Sequence, residues 1–503
     1  MDALQIVEAR FPNSSRTTEE MQQHAISSFD DGLSPGLSIL ISGSRVEGIW
    51  NELSDLDIYL IADKDDPTAT GAANIEMKEG IYIDTEFHHL GKVEEVVDCV
   101  RRSLNTPERL VDLTLDDLDL SYRLAIADGI VLTDLYNRGP LGKLDPDSIG
   151  EVFGQYCSIY AQLNLLQATR IISHVDSAAM YLHEATRWAI DAILATKGEA
   201  FPSRKWRHEK AKRVGVSLED RELWWSLETA PLDLEFDAVE PLVASALELT
   251  NLPSFTVEEF MMEFCTPRTL VEVENGAVWY SKDGRIGPFY EKRKDTNSDG
   301  RLSELLGASQ NSFTPVPFHY DGNIGFSLPR FPDTARDHVI FGRSGIDALL
   351  WEGRKLHASG EMAAAEFDMV GALRAEQAGM AYMVASEVLD LCMERLVMEI
   401  TGFIYIFRDR AELYWCAQQL EHRGKLDGNV WSQIRDILRR KFSQSDVRSF
   451  CNDVLNVARH IGLQSAADIV DDKGNAYRRR VRDHFAVCGA IGCRTSLHDF
   501  FQA

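Results

Sequence analysis

Two short apolar segments, joined by a polar stretch, constrain the fold of this chain more than any other feature. The first, Leu37–Ile41, leads directly into Gly43 and Ser44, and the second opens with Asp55 and Asp57. Short apolar runs that are bounded by turn residues predict buried β-strands. Alternate side chains of a strand share one face, so the two aspartates are expected to project together from the end of their strand.

The polar stretch has the composition of a phosphate-binding turn. Gly43, after a buried strand, lets the backbone approach a phosphate closely, and Ser44 adds a hydroxyl donor. The next residues are expected to open a short helix whose N-terminal amides favour an anion, and Arg45 adds positive charge. Asp55 and Asp57 have no Lys or Arg between them and would repel each other without a cation. Mg²⁺ prefers oxygen ligands, commonly one or two carboxylates with substrate phosphates, so the stretch predicts a metal-bound triphosphate.

The spacing of these residues is similar to that of a known superfamily. Gly43-Ser44 is followed by Gly48, by ten residues between the serine and the first aspartate, and by the segment Ser54–Ile58, which reads SDLDI. This pattern resembles the DNA polymerase beta-like nucleotidyltransferase superfamily. Its small-molecule branch, typified by aminoglycoside and lincosamide nucleotidyltransferases, is the most similar. The resemblance covers residues 30–135 well and residues 148–254 in kind only.

The resemblance implies a third carboxylate on a later strand, as a metal ligand or as the base that activates the attacking hydroxyl. The segment Ile81–Phe87 offers Asp84 and Glu86 on one strand face, and Asp84 is the preferred candidate. The expected catalytic residues are Asp55, Asp57, Asp84 and Glu86, and the expected metal ligands are Asp55, Asp57 and Asp84.

The residues expected to bind the nucleotide are Gly43, Ser44, Arg45, Ser54 and Lys205. Lys205 lies beside Trp206 in a basic segment, a pairing suited to a phosphate or a base ring. An exposed helix start at which Trp206 simply packs explains these two residues equally well.

In the resembling enzymes, the helical domain supplies a base for the acceptor hydroxyl, and Glu184 is the local candidate. A solvated helix face with a Glu184–Arg187 pair is the favoured interpretation of the same residues.

Periodicity divides the chain into four parts. Residues 1–140 are expected to form an α/β nucleotidyltransferase core, a mixed sheet with helices, and residues 145–255 a helical substrate or acceptor domain. Residues 256–335 contain Asn-Gly and Asp-Gly turns that predict a small β-hairpin-rich insertion. Residues 336–503 are expected to form a C-terminal, mainly α-helical domain.

A net charge of −27 disfavours long nucleic acids, since nucleic-acid binding relies on clustered Lys and Arg. It agrees with a neutral or cationic small molecule and with metal ions that screen a bound triphosphate. No membrane-spanning segment and no secretory signal are expected, so a cytoplasmic location with reduced cysteines is the expectation. An oligomer is compatible with the sequence.

A metal site is compatible with the spacing of His484, Cys488, Cys493 and His498. However, these residues include no paired C-x2-C motif. Helical core or surface positions are the favoured interpretation of these residues.

These observations predict an Mg²⁺-dependent transferase that moves a nucleoside monophosphate, with AMP from ATP the expected case, to a hydroxyl of a small molecule and releases pyrophosphate. Two alternatives remain at this stage. One is a nucleotide cyclase or oligonucleotide synthase of the same fold, and the other is a catalytically silent binding or regulatory protein.

Overall fold

The structure is a computed structural model. It describes residues 2–10, 20, 37–62, 73–78, 81–104, 106, 110, 113–126, 144–170, 175–252, 270–274, 277–282, 285–286, 340–341, 346–401, 404–405, 410–422, 424, 426 and 428–469. Helices predominate in these ranges, and a small mixed sheet lies near the N-terminus.

The mixed sheet has four strands, which are β1 Leu37–Ser42, β2 Leu56–Ala62, β3 Ala73–Lys78 and β4 Ile81–His89. Their order in the sheet is β1-β2-β4-β3. Strand β2 pairs antiparallel with β1 and parallel with β4, whereas β3 and β4 are antiparallel. The expected mixed sheet is therefore present. Short helix α2, Ser44–Glu47, connects β1 to the loop before β2.

Helices cover this sheet because each has one apolar stripe. Helix α3, Leu90–Ser103, buries four valines spaced three, four and seven residues from the first, which are Val93, Val96, Val97 and Val100. That spacing places all four on one helix face. Helix α4, Leu115–Ile126, packs against both α3 and β1. Helix α1, Ala3–Glu8, instead packs on the helix Val447–His460, far along the chain.

The central part of the chain is helical, as the periodicity predicts. Long helices α5, Pro146–Arg170, and α6, Val175–Ala195, pack along each other. A 3₁₀ turn at Arg204–Trp206 leads into α7, Arg207–Arg213. Helices α8, Leu218–Glu228, and α9, Phe236–Leu249, complete this part.

The remaining described residues form a few short strands and a second set of helices. Strands β5 Leu270–Glu274 and β6 Ala277–Lys282 make an antiparallel hairpin. Short strands β7 Arg285–Ile286 and β8 Ile340–Phe341 pair with β6, and β9 Ile404–Tyr405 pairs with β8. The helices are α10 Ile346–Arg374, α11 Ala378–Thr401, α12 Arg410–His422, α13 Gly428–Leu438, α14 Val447–His460 and α15 Ala466–Ile469. Within the described ranges, no helix is long and apolar enough to cross a membrane.

A buried ionic network connects the central helices. Arg207 donates to both oxygens of Asp191 at 2.9 and 2.6 Å and to Glu228 at 2.5 Å, and all three side chains are fully buried. His208 contacts the other oxygen of Glu228 at 2.5 Å. One guanidinium thus joins α6, α7 and α8, and its charge is matched inside the protein.

Replacing Arg207 by methionine is expected to lower the free energy of unfolding by about 3–5 kcal/mol. The substitution leaves Asp191 and Glu228 as buried charges without their main partner, which is the costly way to break such a network. Urea denaturation followed by tryptophan fluorescence measures the loss.

Lys212→Met is the matched control, because Lys212 is half exposed and pairs only with Glu209 at the surface. This variant is expected to change the free energy of unfolding by less than about 0.5 kcal/mol. Equal losses in the two variants would contradict a special role for Arg207.

Candidate metal centre

Three carboxylates meet where the start of β2 lies beside β4. Asp57 of β2 and Asp84 of β4 are opposite each other in the parallel pair, and Asp55 immediately precedes β2. One carboxylate oxygen of each residue lies within 4.8 Å of the corresponding oxygens of the other two. Oδ1 of Asp84 is buried and has no hydrogen-bond partner. This carboxylate triad, Asp55, Asp57 and Asp84, therefore brings one oxygen of each residue close to the other two, and an oxygen of Asp84 has no partner.

The electrostatics of the triad favour a bound cation. Desolvation, followed by the charge of Asp57, raises the pKa of Asp55 to about 7. Desolvation and then the charges of Glu86 and Asp55 raise the pKa of Asp84 well above its ordinary value. Three oxygen donors with such unfavourable negative charge match the preference of Mg²⁺ for hard oxygen ligands. The residues thus fit a divalent metal ion.

Gly43 makes the triad geometrically feasible. Its φ of 84° lies in the left-handed region, and a Cβ built on it would lie 1.6 Å from Oδ2 of Asp57. The register explains this contact, because the preceding residue, Ser42, pairs with Asp57 across β1 and β2. Ser44 follows as the buried first residue of α2. Sequence reasoning assigned Gly43 to a phosphate, and the structure gives it a close contact with Asp57.

Arg45 and Ser54 shape the loop that carries Asp55. Nε of Arg45 donates to the backbone oxygen of Ser54 at 2.7 Å, and the guanidinium lies 4.7 Å from the ring centre of Trp50. The Ser54 hydroxyl accepts from the amide of Asn51 at 2.9 Å. Burial lowers the pKa of Arg45 to about 10, against the opposing charges of Asp55 and Asp57. Arg45 and Ser54 therefore help to hold in place the loop that carries Asp55.

Lys205 reaches the triad from the 3₁₀ turn before α7. Its Nζ lies 2.5 Å from Oδ2 of Asp368 on α10. Burial opposes the charged form of Lys205, but Asp368, Asp55 and Asp57 outweigh this effect and raise its pKa. Lys205 is therefore a permanently charged group on the rim of the triad.

Of the two candidates for the third carboxylate, only Asp84 joins Asp55 and Asp57. Glu86 instead accepts from the Tyr59 hydroxyl at 3.2 Å and contacts Nε2 of His88 at 3.2 Å. The rings of Tyr59 and His88 are stacked, with centroids 5.3 Å apart. Glu86 is thus part of a side-chain cluster next to the triad.

Arg123 is a site residue that the sequence analysis missed. Its Nη1 donates to Oδ1 of Asp57 at 2.7 Å, and its Nε donates to Oδ2 of Asp119 at 2.6 Å. Arg123 is the one cation in the sequence of α4, which otherwise carries three aspartates. This single positive charge, four residues after Asp119, was the sequence feature that could have identified Arg123 as a site residue.

Helix α10 completes the surroundings of the triad from the second half of the chain. Asn51, in the loop before β2, donates to Gln377 at 3.2 Å, and a Cβ on Gly371 would lie 2.3 Å from the Asn51 side-chain oxygen. Arg374 forms an ion pair with Glu52 at 3.1 Å. The loop that carries Asp55 thus rests directly on α10.

An acidic wall faces Lys205 from α10 and α11. It consists of Glu361, Asp368, Glu387 and Asp390, and the first three interact electrostatically with Lys205. The Glu387 side chain is exposed, yet desolvation by the surrounding protein raises its pKa to about 7. An exposed but desolvated carboxyl indicates a concave surface. No sequence pattern pointed to this wall, because its members come from two helices whose packing brings them together.

Glu184 is held in a buried ion pair. Arg187 donates to it at 2.8 Å and Arg204 at 3.3 Å, and only 2% of the residue is exposed. Burial opposes its charge, but Arg204, Arg187 and Arg410 prevail and lower its pKa to about 2. The expected pair with Arg187 is present, whereas the expected solvated face is wrong. A carboxylate this acidic is a poor proton acceptor.

The four residues His484, Cys488, Cys493 and His498 lie outside the described part of the chain.

Neither a protein family model nor a curated protein sequence matches the chain. A solved structure of a nucleotidyltransferase-like protein from Exiguobacterium sibiricum 255-15 aligns with 49% of this chain and 78% of its own. The sequences are 12% identical over the alignment and the TM-score is 0.26. Likeness at this level carries no argument about fold or function.

Gly43→Ala is expected to weaken binding of a divalent cation by at least about tenfold. The new methyl group would collide with Oδ2 of Asp57 and turn that carboxylate, and misplaced ligand orientation costs roughly 10–100-fold in metal affinity. Isothermal titration with Mn²⁺ measures the change.

Gly48→Ala is the matched control, because Gly48 also has a positive φ, 75°, but a Cβ there meets nothing within 4 Å. It introduces similar backbone strain without touching the triad. Equal weakening by both variants would show that strain, not the contact with Asp57, is responsible.

Glu184→Gln is expected to reduce the loss of folding stability that accompanies a fall in pH below 4.5. The folded-state pKa, about 2, lies below the ordinary 4.5, so the stabilisation by Glu184 is complete above pH 4.5 and is lost as the pH falls toward 2. The variant therefore starts less stable at neutral pH and loses less between pH 4.5 and 3. Thermal unfolding midpoints across this range test it, and parallel curves would contradict it.

Proposed function

We propose that this protein is a divalent-metal-dependent nucleotidyltransferase of the DNA polymerase beta-like superfamily. It would transfer a nucleoside monophosphate, in our proposal AMP from ATP, to a hydroxyl of a small molecule and release pyrophosphate. The observation that carries the proposal is the carboxylate triad where the start of β2 lies beside β4, next to Gly43-Ser44.

The residues of the triad have a defined part in this reaction. Asp55, Asp57 and Asp84 would hold Mg²⁺, which supplies positive charge to the reacting phosphate when it is bound. Ser44 at the start of α2 and Lys205 on the rim offer a hydroxyl and a charge to the phosphate tail. Asp368 keeps Lys205 oriented toward the triad.

The reaction is an in-line displacement at the α-phosphorus. The acceptor oxygen forms a bond to that phosphorus, and the bond to the bridging oxygen breaks, so that pyrophosphate leaves with the bonding electron pair. The hydroxyl proton must pass to a base. Glu184, fixed by two arginines, is unsuited to accept it, whereas Asp84, which has an unpartnered oxygen within the triad, is a better candidate.

The acidic wall supports a small neutral or cationic acceptor. Glu361, Glu387 and their neighbours face the rim of the triad and would repel a second polyanion, which weighs against a nucleotide as acceptor. The net charge of −27 points the same way against long nucleic acids. We propose a cytoplasmic location in accordance with this chemistry.

One contact favours the catalytically silent alternative. Arg123 already neutralises Asp57, and an internal cation at a ligand position is a feature that a silent, metal-free copy of the fold would tolerate. Measuring the reaction therefore decides between the two functions.

Incubation with each nucleoside triphosphate, Mg²⁺ and a panel of hydroxyl-bearing metabolites is expected to release pyrophosphate and give a nucleotidylated product visible by mass spectrometry. Asp84→Asn is expected to lower the rate at least about a hundredfold, the equivalent of about 3 kcal/mol in transition-state stabilisation.

Glu86→Gln is the matched control on the same strand, because Glu86 contacts Tyr59 and His88 and is not one of the three triad carboxylates. It is expected to cost far less than Asp84→Asn. Absence of any transfer in the unmodified protein, or equal rates for the protein and Asp84→Asn, would refute the proposed function.

A further inference from the structure

Arg123 occupies a fixed place beneath the triad. Its side chain is 14% exposed and pairs with Asp57 and Asp119, and its guanidinium lies 5.7 Å from the ring centre of Tyr59 and 5.4 Å from that of Phe201. Asp119 precedes it by one turn of α4, so this second carboxylate moves with the same helix. The guanidinium of Arg123 is thus bound to Asp119 of its own helix and, through another nitrogen, to Asp57 of the triad.

One oxygen of Asp57 is already bound to a cation in this arrangement. Oδ1 accepts from Arg123 at 2.7 Å, and Oδ2 lies against Gly43, where even a methyl group has no room. Across the described residues, Arg123 is the one cation within ion-pair distance of a triad carboxylate, since the partner of Lys205 at that distance is Asp368. A metal ion that takes Oδ1 of Asp57 must therefore share this oxygen with Arg123 or displace the guanidinium.

Sharing is unfavourable for a physical reason. A divalent cation and a guanidinium on the same carboxylate oxygen repel each other at close range, and this interaction is strong where water is largely excluded. An arginine does not relieve such repulsion by losing its proton. The guanidinium must move, and its bond to Asp119 limits how far it goes.

We propose that Arg123 is an exchangeable counter-ion of the metal centre, which holds Asp57 in the metal-free protein and moves to the phosphates of the nucleotide when metal and triphosphate bind. The proposal rests on the proposed function for the identity of the ligands. The planar fork of N–H donors suits a phosphate as well as a carboxylate, so the released donors gain new partners.

This exchange couples metal binding to nucleotide binding. Without nucleotide, Arg123 competes with the metal and lowers its affinity. With nucleotide, the phosphates accept the guanidinium and the competition ends, so each ligand raises the affinity for the other. The bare protein would then resist loading with metal alone.

The test is Mn²⁺ binding, measured by isothermal titration and by electron paramagnetic resonance, with and without a non-hydrolysable ATP analogue. Arg123→Met is expected to bind Mn²⁺ alone at least about tenfold more tightly than the unmodified protein, because the competitor is gone. The analogue, which strengthens Mn²⁺ binding in the unmodified protein, is expected to strengthen it much less in the variant.

Arg101→Met controls for the change in net charge, because Arg101 is an exposed arginine on α3 that pairs with Asp98. It is expected to leave Mn²⁺ affinity unchanged. Asp119→Asn is a milder second variant that loosens the tether of Arg123 and keeps the guanidinium. We do not expect Asp119→Asn to bind Mn²⁺ alone more tightly than the unmodified protein. We do expect the ATP analogue to strengthen Mn²⁺ binding less in this variant.

The outcomes separate the two proposals. If Mn²⁺ binds to the unmodified protein and to Arg123→Met with equal affinity, or more weakly to the variant, the exchange is refuted while the metal centre stands. If neither binds Mn²⁺, or if Asp55→Asn binds it as well as the unmodified protein does, the metal centre is refuted and the exchange with it.

Discussion

The parallel pairing of β2 with β4 is the constraint on which the rest of the site depends. It aligns Asp57 with Asp84, and the two strand ends then carry both acids at one edge. Side chains alternate along a strand, so a slip of one residue in β4 would turn Asp84 to the opposite face of the sheet. The apolar side chains of the strands resist such a slip because they would leave the core. Burial of Leu56, Ile58 and Ile83 thus fixes the chemistry as much as the fold.

Charges are balanced in the core of the central helices and unbalanced at the triad. Arg207 is matched by Asp191 and Glu228 in the core of the central helices, where opposite charges are balanced and hydrogen-bonded. The triad gathers like charges, which costs stability unless a ligand is present. A fold tolerates such a conflict where function requires it and where the surrounding packing is good. Those packed helices border the site directly, since Lys205 and Arg207 belong to consecutive turns of the same segment.

The sequence was informative about the site wherever the evidence was local. A strand has a period of two, so the spacing of Asp55 and Asp57 was readable without a structure, and the order of turn, loop and strand around Gly43 followed from composition. The choice between Asp84 and Glu86 was open because both share a strand face, and only the register with β2 separates them. Tertiary partners were beyond local reasoning. Arg123 lies 66 residues from Asp57, and Asp368 lies 163 residues from Lys205.

The same limit explains the interpretations that changed. Arg45 is predicted to bind a phosphate because it follows Gly43-Ser44, and local sequence did not reveal that its Nε donates to the backbone oxygen of Ser54. Glu184 looked like a surface residue because its helix is amphipathic, yet both faces of α6 are covered by neighbouring helices. Helical periodicity reports which face is apolar, and it does not report how many neighbours a helix will have.

The contact between the loop before β2 and α10 affects how the protein matures during synthesis. Asn51 and Glu52 rest on Gln377 and Arg374, more than three hundred residues further along the chain. A nascent chain that has emerged only through the central helices already carries all three acids of the triad, but it lacks the surface that supports their loop. The loop therefore gains this support only after α10 has been synthesised.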